Sequence, residues 1–223
     1  MYSEELNDEM NSLEINDIKS IIIKLKTIME ENKDDLCELD AALGDGDLGL
    51  TVSKGFREIA ANIDELAVKD IGNLLKRSGF ILADKVPSTM GTLLASGFMQ
   101  AGKLLEGKES LTPNEAATLF EGMILGISKR GKAAIGDKTI IDSLYPAHKA
   151  LEVAAAQELS LKEAFKGAYE QARLGAEHTK EMQSKFGRAS KYLERSIGHQ
   201  DPGATVGALI VEGFHLYINE GNK

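Results

Sequence analysis

Residues 15–43 read INDIKSIIIKLKTIMEENKDDLCELDAAL, and their periodicity decides the fold class. Apolar side chains recur at intervals of three and four, from Ile15, Ile18, Ile22, Leu25 and Met29 on to Leu36 and Leu39, the pattern of one buried helix face. Gly44 supplies the stop signal. The same spacing continues outward along the chain. A second helix is predicted to open at Leu48 and run through TVSKGFREIAANI, and a third covers 71–85 and stops before Pro87. Further helices are predicted over 90–107, 112–131, 139–157, 160–182 and 204–221, with Thr112 as an N-cap and Pro113 at the first helical position. Alternating strand-like runs are nearly absent. Short loops between amphipathic helices make sequence neighbours antiparallel around one core. The expectation is an all-α, single-domain chain over 1–223 with about eight helices, residues 1–11 forming a peripheral N-terminal segment.

Composition narrows the function classes. The chain has 223 residues, 43% of them hydrophobic, which is ample for a buried core. Its formal charge of −9 argues against nucleic acid as a ligand, because phosphate backbones need clustered cations. A single cysteine, Cys37, allows no intramolecular disulfide and fits a reducing compartment. The N-terminal MYSEELNDEM is acidic and polar, unlike a targeting peptide, and no apolar run reaches membrane-spanning length. A cytoplasmic protein with no membrane contact is expected.

The segment after the first helix, ELDAALGDGDLGLT (38–51), is unusual in its charge. Asp40, Asp45 and Asp47 stand among glycines with no lysine or arginine nearby in sequence. Converging carboxylates repel one another, so these three either splay into water or hold a cation. An EF-hand is excluded, since counting from Asp45 places Phe56 where a bidentate glutamate belongs. Two stretches approach a phosphate loop, GFMQAGKL (97–104) and GKAAIGDKT (131–139), but the first has leucine where a hydroxyl should follow the lysine, the second has an aspartate between glycine and lysine, and neither follows a strand.

An internal echo is more informative. DLGLTV (47–52) and DPGATV (201–206) are both Asp-x-Gly-x-Thr-Val at a loop-to-helix junction. In each the aspartate can cap the helix, and the following glycine leaves backbone N–H groups open to an anion. Ordinary capping explains either copy alone; two copies, one of them beside a carboxylate cluster, favour a polyphosphate site with Mg²⁺. GDKTIID (136–142) adds a lysine and a threonine at another helix start, and 187–203 adds Arg188, Arg195 and His199.

ELDAALGDGDLG, GDKTIIDSLYPA and GRASKYLERSIGHQDPGAT together resemble the nucleotide-binding L subunits of dihydroxyacetone kinases, from about residue 12 onward. The resemblance implies an eight-helix antiparallel barrel with ADP or ATP bound at one end. It implies that Asp40, Asp45 and Asp47 hold two Mg²⁺ ions. Leu48, Gly49, Leu50, Thr51, Gly131, Ile140, Arg188, Asp201, Pro202 and Gly203 would contact the nucleotide, and Ser88 and Thr89 would face it. It further implies a separate K-type subunit carrying the small ketose covalently on a histidine, so that this chain is active only with that partner. The phosphoryl donor is then either exchanging ATP or a bound ADP recharged by a phosphotransferase-system M subunit. No catalytic acid or base is expected on this chain. Two departures stand out: Leu48 replaces the family's histidine, and KVPSTMGT (85–92) is a shortened form of its Ser-Gly-rich segment. They suggest a paralogue serving another ketose, such as a tetrulose. A non-catalytic nucleotide-binding regulator is the alternative.

Overall fold

The computed structural model describes residues 11–66 and 68–220. In chain order these form β1 (Leu13–Glu14), α1 (Ile15–Glu31), α2 (Lys33–Ala41), α3 (Leu48–Asn62), α4 (Ile71–Lys85), α5 (Thr89–Leu104), β2 (Ser110–Leu111), α6 (Pro113–Gly131), α7 (Ile141–Ala156), α8 (Leu161–His178) and α9 (Pro202–Glu220). Two 3-10 stretches, Thr179–Glu181 and Arg188–Ser196, lie between α8 and α9. Of the N-terminal segment expected over 1–11, only Asn11 falls within the described residues.

Local chemistry fixes most boundaries. Thr112 and Glu115 form a capping box at α6 with Pro113 in its first turn, and Ser160 with Glu163 does the same for α8. The Asp70 side chain accepts from Asn73 N–H at the start of α4. Two expected boundaries need correction. The helix read over 15–43 breaks at Asn32, whose φ of −92° and ψ of 8° depart from the helical values and whose side-chain amide donates to the Ile28 carbonyl at 2.9 Å, dividing the run into α1 and α2. The helix read over 160–182 ends at His178 and tightens into 3-10 turns. Counted as arms, with α1 and α2 as one bent arm, the helices number eight as expected.

Each helix packs on its chain neighbour, and α9 returns against α1, so the arms close into a ring. The two-residue pair β1–β2 is antiparallel and joins the start of α1 to the start of α6. Running alternately up and down from there, α3, α5, α7 and α9 all begin at the opposite end. Small residues make the tight contacts: a Cβ on Gly102 would lie 2.4 Å from the Gly72 carbonyl oxygen of the adjacent helix. Aromatic rings fill the interior where α6, α8 and α9 meet. Phe165 stacks on Phe214 at 5.1 Å between centroids, and Phe120 meets both edge-on. The seam between α9 and α1 carries polar ties, with the Tyr217 hydroxyl donating to Asp17 at 2.6 Å and Lys24 paired with Glu220. Among the described residues no helix is long and apolar enough to cross a membrane.

Candidate functional site

The end of the barrel where α3, α5, α7 and α9 begin carries most of the motif residues. Asp40 sits in the last turn of α2, and Gly44 N–H returns to the Asp40 carbonyl at 2.6 Å. Gly46 then takes a left-handed φ of 73°, which turns the chain back into α3. The turn brings one carboxylate oxygen from each of Asp40, Asp45 and Asp47 within 4.8 Å of the others, the one such acidic cluster among the described residues. Gly44 is required by space as well, since a Cβ there would lie 2.3 Å from Asp40 Oδ1. Gly49 is equally constrained, because a Cβ would reach 1.9 Å from the Lys33 carbonyl.

The two Asp-x-Gly-x-Thr-Val copies do different work. Asp201 Oδ2 accepts Ala204 N–H at 2.7 Å, an ordinary N-cap for α9. Asp47, contrary to the expectation, makes no side-chain cap; Asp40 Oδ2 accepts the N–H groups of Asp47 (3.0 Å) and Leu48 (3.3 Å) instead. The Asp47 carboxylate is thereby left for the cluster. The N–H groups of Gly49 and Leu50, orphaned by the helix start, have no partner among the described residues. Leu48 is buried, so its side chain packs in the core and only its backbone faces the site.

The absence of a cation near the aspartates in sequence does not carry over to space. Arg188, 143 positions from Asp45, places Nη2 at 2.6 Å from Asp45 Oδ2. Its side chain remains 67% exposed and can swing between that carboxylate and an anion. The starts of α5, α7 and α9 converge with one another: a Cβ on Gly203 would lie 3.2 Å from the Met90 side chain and 3.4 Å from Ile140 N. Ser88 caps α5 through Gly91 N–H at 3.0 Å, leaving Thr89 exposed beside it. Ile140 is buried and, like Leu48, presents backbone. Gly131 ends α6 next to Leu93, and Leu50, Thr51 and Pro202 keep solvent access. Four helices start at this end and four finish there, so their axial dipoles cancel across the barrel. Attraction for an anion comes from local N–H groups.

Behind this rim lies a charged group that composition gave no reason to expect. Lys138, 2% exposed, has a left-handed φ of 60° and donates from Nζ to the carbonyls of Met182 (3.1 Å) and Ser196. It is therefore no phosphate ligand. Asp142, also buried, accepts Gly136 N–H at 2.6 Å and Thr139 N–H at 2.7 Å, organising the turn that opens α7. Burial pushes the Asp201 carboxyl up to about 7 against the Ala204 N–H, with the Asp142 charge raising it further and Lys138 lowering it. Burial lowers the Lys138 ammonium, and Asp201 opposes that shift. His199 is exposed in the turn before Asp201. His148 is buried on α7 against the Ala117 carbonyl, away from the cluster. Two outer grooves, one beside Tyr169, Arg173 and Glu212 and one beside His148 and Glu121, also lie apart from the aspartates.

The donor set of the cluster is all carboxylate oxygen, which suits a hard divalent cation such as Mg²⁺ and disfavours soft metals. The carboxylates lie close enough to share ions, and the lone arginine beside them leaves the set net negative. The residues fit such an ion. A closed antiparallel helical barrel with an acidic, glycine-bounded loop at one end is thus the class defined by fold and site.

The DAK2 domain matches residues 42–216, and the chain belongs to that family. It is 37% identical over 209 residues to the ADP-binding subunit DhaL of the PEP-dependent dihydroxyacetone kinase of Escherichia coli, covering 94% of this chain and 100% of that one. It is 36% identical to the corresponding subunit of PEP-dependent dihydroxyacetone kinase 2 of Listeria innocua, over 82% of this chain and 86% of the other. The crystal structure of the C. freundii dihydroxyacetone kinase in complex with AMP-PNP and Mg²⁺ superposes with a TM-score of 0.69 at 28% identity. That match covers 89% of this chain and 33% of the longer kinase. These relatives bear out the resemblance to L subunits drawn from the motifs and the all-α barrel it implied.

Proposed function

We propose that this chain is the nucleotide-bearing subunit of a ketose kinase, holding ADP or ATP over the rim formed by the starts of α3, α5, α7 and α9. The observation that carries the reading is the convergence of Asp40, Asp45 and Asp47 within 4.8 Å beside Arg188 and the open N–H groups of α3. Asp40, Asp45 and Asp47 would hold two Mg²⁺ ions, which would supply neutralisation of polyphosphate charge there. Gly49 and Leu50 offer backbone N–H groups to a phosphate, and Arg188 leaves Asp45 to clamp one bidentately. Thr51, Ser88 and Thr89 supply hydroxyls near the same rim, while Leu48, Gly131, Ile140 and the Asp201-Pro202-Gly203 turn shape its wall. No described residue of the rim stands out as a general base, so alignment and charge neutralisation are this chain's contribution.

In this reading the acceptor is a small ketose held on a separate K-type subunit. The similarity to the E. coli and Listeria ADP-binding subunits of PEP-dependent kinases favours a resident ADP recharged in place by a phosphotransferase-system M subunit. The test is direct. Freshly purified protein is denatured and its supernatant run on anion exchange. Near-stoichiometric ADP supports a captive coenzyme, and an empty site that binds Mg·ATP reversibly favours an exchanging kinase subunit. A chain that neither carries nor binds any adenine nucleotide refutes the proposal. Turnover on addition of a K-type subunit, with dihydroxyacetone and a tetrulose compared, then separates a kinase subunit from a silent regulator.

A further inference from the structure

The segment that delivers Arg188 to the aspartates has little helix to hold it. Between α8 and α9 the chain runs through 3-10 turns, broken at Leu193, where φ is 52° and ψ is −128°. Such a conformation is strained for a leucine and persists only where surrounding contacts over-determine it. Most visible ties of the segment are local or exposed. Ser196 Oγ accepts Ser184 N–H at 2.9 Å within the segment, and Gly198 N–H reaches the Lys180 carbonyl at 2.7 Å. Lys185 meets the turn that opens α7 through its N–H, which donates to the Asp137 carbonyl at 3.3 Å, and through its exposed ammonium, which pairs with the Asp137 carboxylate at 2.7 Å, a kind of pair that contributes little. Lys138 differs. Its ammonium is buried and reaches two carbonyls 14 residues apart, Met182 and Ser196, one at each end of the stretch that contains Arg188.

We propose that Lys138 is a positioning residue: by fastening the Met182 and Ser196 carbonyls to the turn that opens α7, it fixes where Arg188 stands relative to Asp45. Its own backbone supports a specific demand for that reach, since Lys138 accepts a left-handed φ that a straight-chain residue ordinarily avoids. The Asp142 side chain holds the same turn from within through Gly136 and Thr139 N–H, so the anchor is itself fixed. The clamp stands on the geometry alone; its consequence for nucleotide binding rests on the function proposed above.

The test uses the full chain with K138M and K138Q, both of which keep the left-handed backbone cost of the lysine and alter only the side-chain bonds. Hydrogen exchange is followed without nucleotide. Loss of charge-assisted bonds to the segment is expected to speed exchange over 182–198 in K138M by about tenfold per bond lost, with peptides from α5 and α6 unchanged. K138Q, which retains an N–H donor, falls between. Wild-type exchange over 182–198 in K138M overturns the clamp. The second arm measures Mg·ADP affinity of R188A in both backgrounds. If Lys138 positions Arg188, R188A weakens binding by about tenfold in the wild-type background and by less than about threefold in K138M. Equal losses in both backgrounds overturn the positioning role even if the segment loosens. Should wild type bind no nucleotide, the nucleotide reading falls while faster exchange over 182–198 still upholds the clamp. If K138M is not recovered folded, K138Q carries both arms, and loss of the fold in both overturns positioning in favour of a purely structural lysine.

Discussion

Replacing Asp47 by asparagine is predicted to make the metal-free protein more stable and the Mg²⁺-bearing protein less so. Asp47, Asp40 and Asp45 each place an oxygen within 4.8 Å of the others. Two unit charges at that separation repel by about 0.9 kcal/mol in water. Asp47 faces two such neighbours, so D47N removes about 1.7 kcal/mol of repulsion before salt screening. Against this stands the loss of a negative charge at the start of α3, about 0.3–1 kcal/mol. No hydrogen bond is lost at the cap, because the Asp47 side chain makes none. The balance is a gain of about 1 kcal/mol in EDTA, or roughly 2–4 °C in Tm for a chain of this size. With Mg²⁺ in excess the wild type gains further through binding and the variant gains little, so the order of stabilities reverses. Thermal denaturation of both proteins in EDTA and in millimolar Mg²⁺ reads this crossover. A D47N protein that is less stable in EDTA, and that Mg²⁺ stabilises as much as wild type, refutes the cluster as a metal site.

G44A drives a methyl group into Asp40 Oδ1, and its Mg²⁺ affinity by titration calorimetry is expected to fall by about tenfold or more while helical circular dichroism is unchanged. F165A empties the stack against Phe214 and the edge contact with Phe120, and urea denaturation should show a loss of about 3–5 kcal/mol. The Asp201 carboxyl, raised from 3.8 to about 7 in the folded chain, binds a proton there more readily than in the unfolded chain. Stability from this group therefore falls as pH rises between those values. D201N keeps an N-cap side chain and should flatten the change in urea midpoint between pH 4 and pH 8; an unchanged slope removes Asp201 as its source.

Many helical boundaries were legible because caps and periodicity are local: Thr112-Pro113 and the apolar faces behave as their residue types dictate. The break at Asn32 was not, since the apolar spacing of 15–43 runs through it; the approach of Gly49 in α3 to the Lys33 carbonyl beside it is likewise a tertiary contact that periodicity does not encode. The aspartate cluster was readable because three carboxylates among glycines have few other uses. Its internal division of labour was hidden: Asp40 replaces Asp47 as the cap of α3, and nothing in the repeated Asp-x-Gly-x-Thr-Val motif signals that exchange. Arg188 was named as a nucleotide contact, but its pairing with Asp45 spans 143 positions and leaves no local trace. Lys138 could be read only as a lysine at a helix start, between an aspartate and a threonine, with no sign of whether it faced a ligand or the interior. Only burial decides between the two.

The closure of the ring between α9 and α1 constrains how such a barrel can change. Eight arms alternating in direction meet antiparallel at the seam because their number is even. Removing or adding one arm while the loops stay short would bring two parallel helices together there. It would also move every later helix start to the opposite rim, scattering the Asp201 turn away from the aspartate loop. Growth or loss by helical pairs preserves both the seam and the rim. Parity therefore protects the site: hairpins can be inserted into this architecture, but single helices cannot.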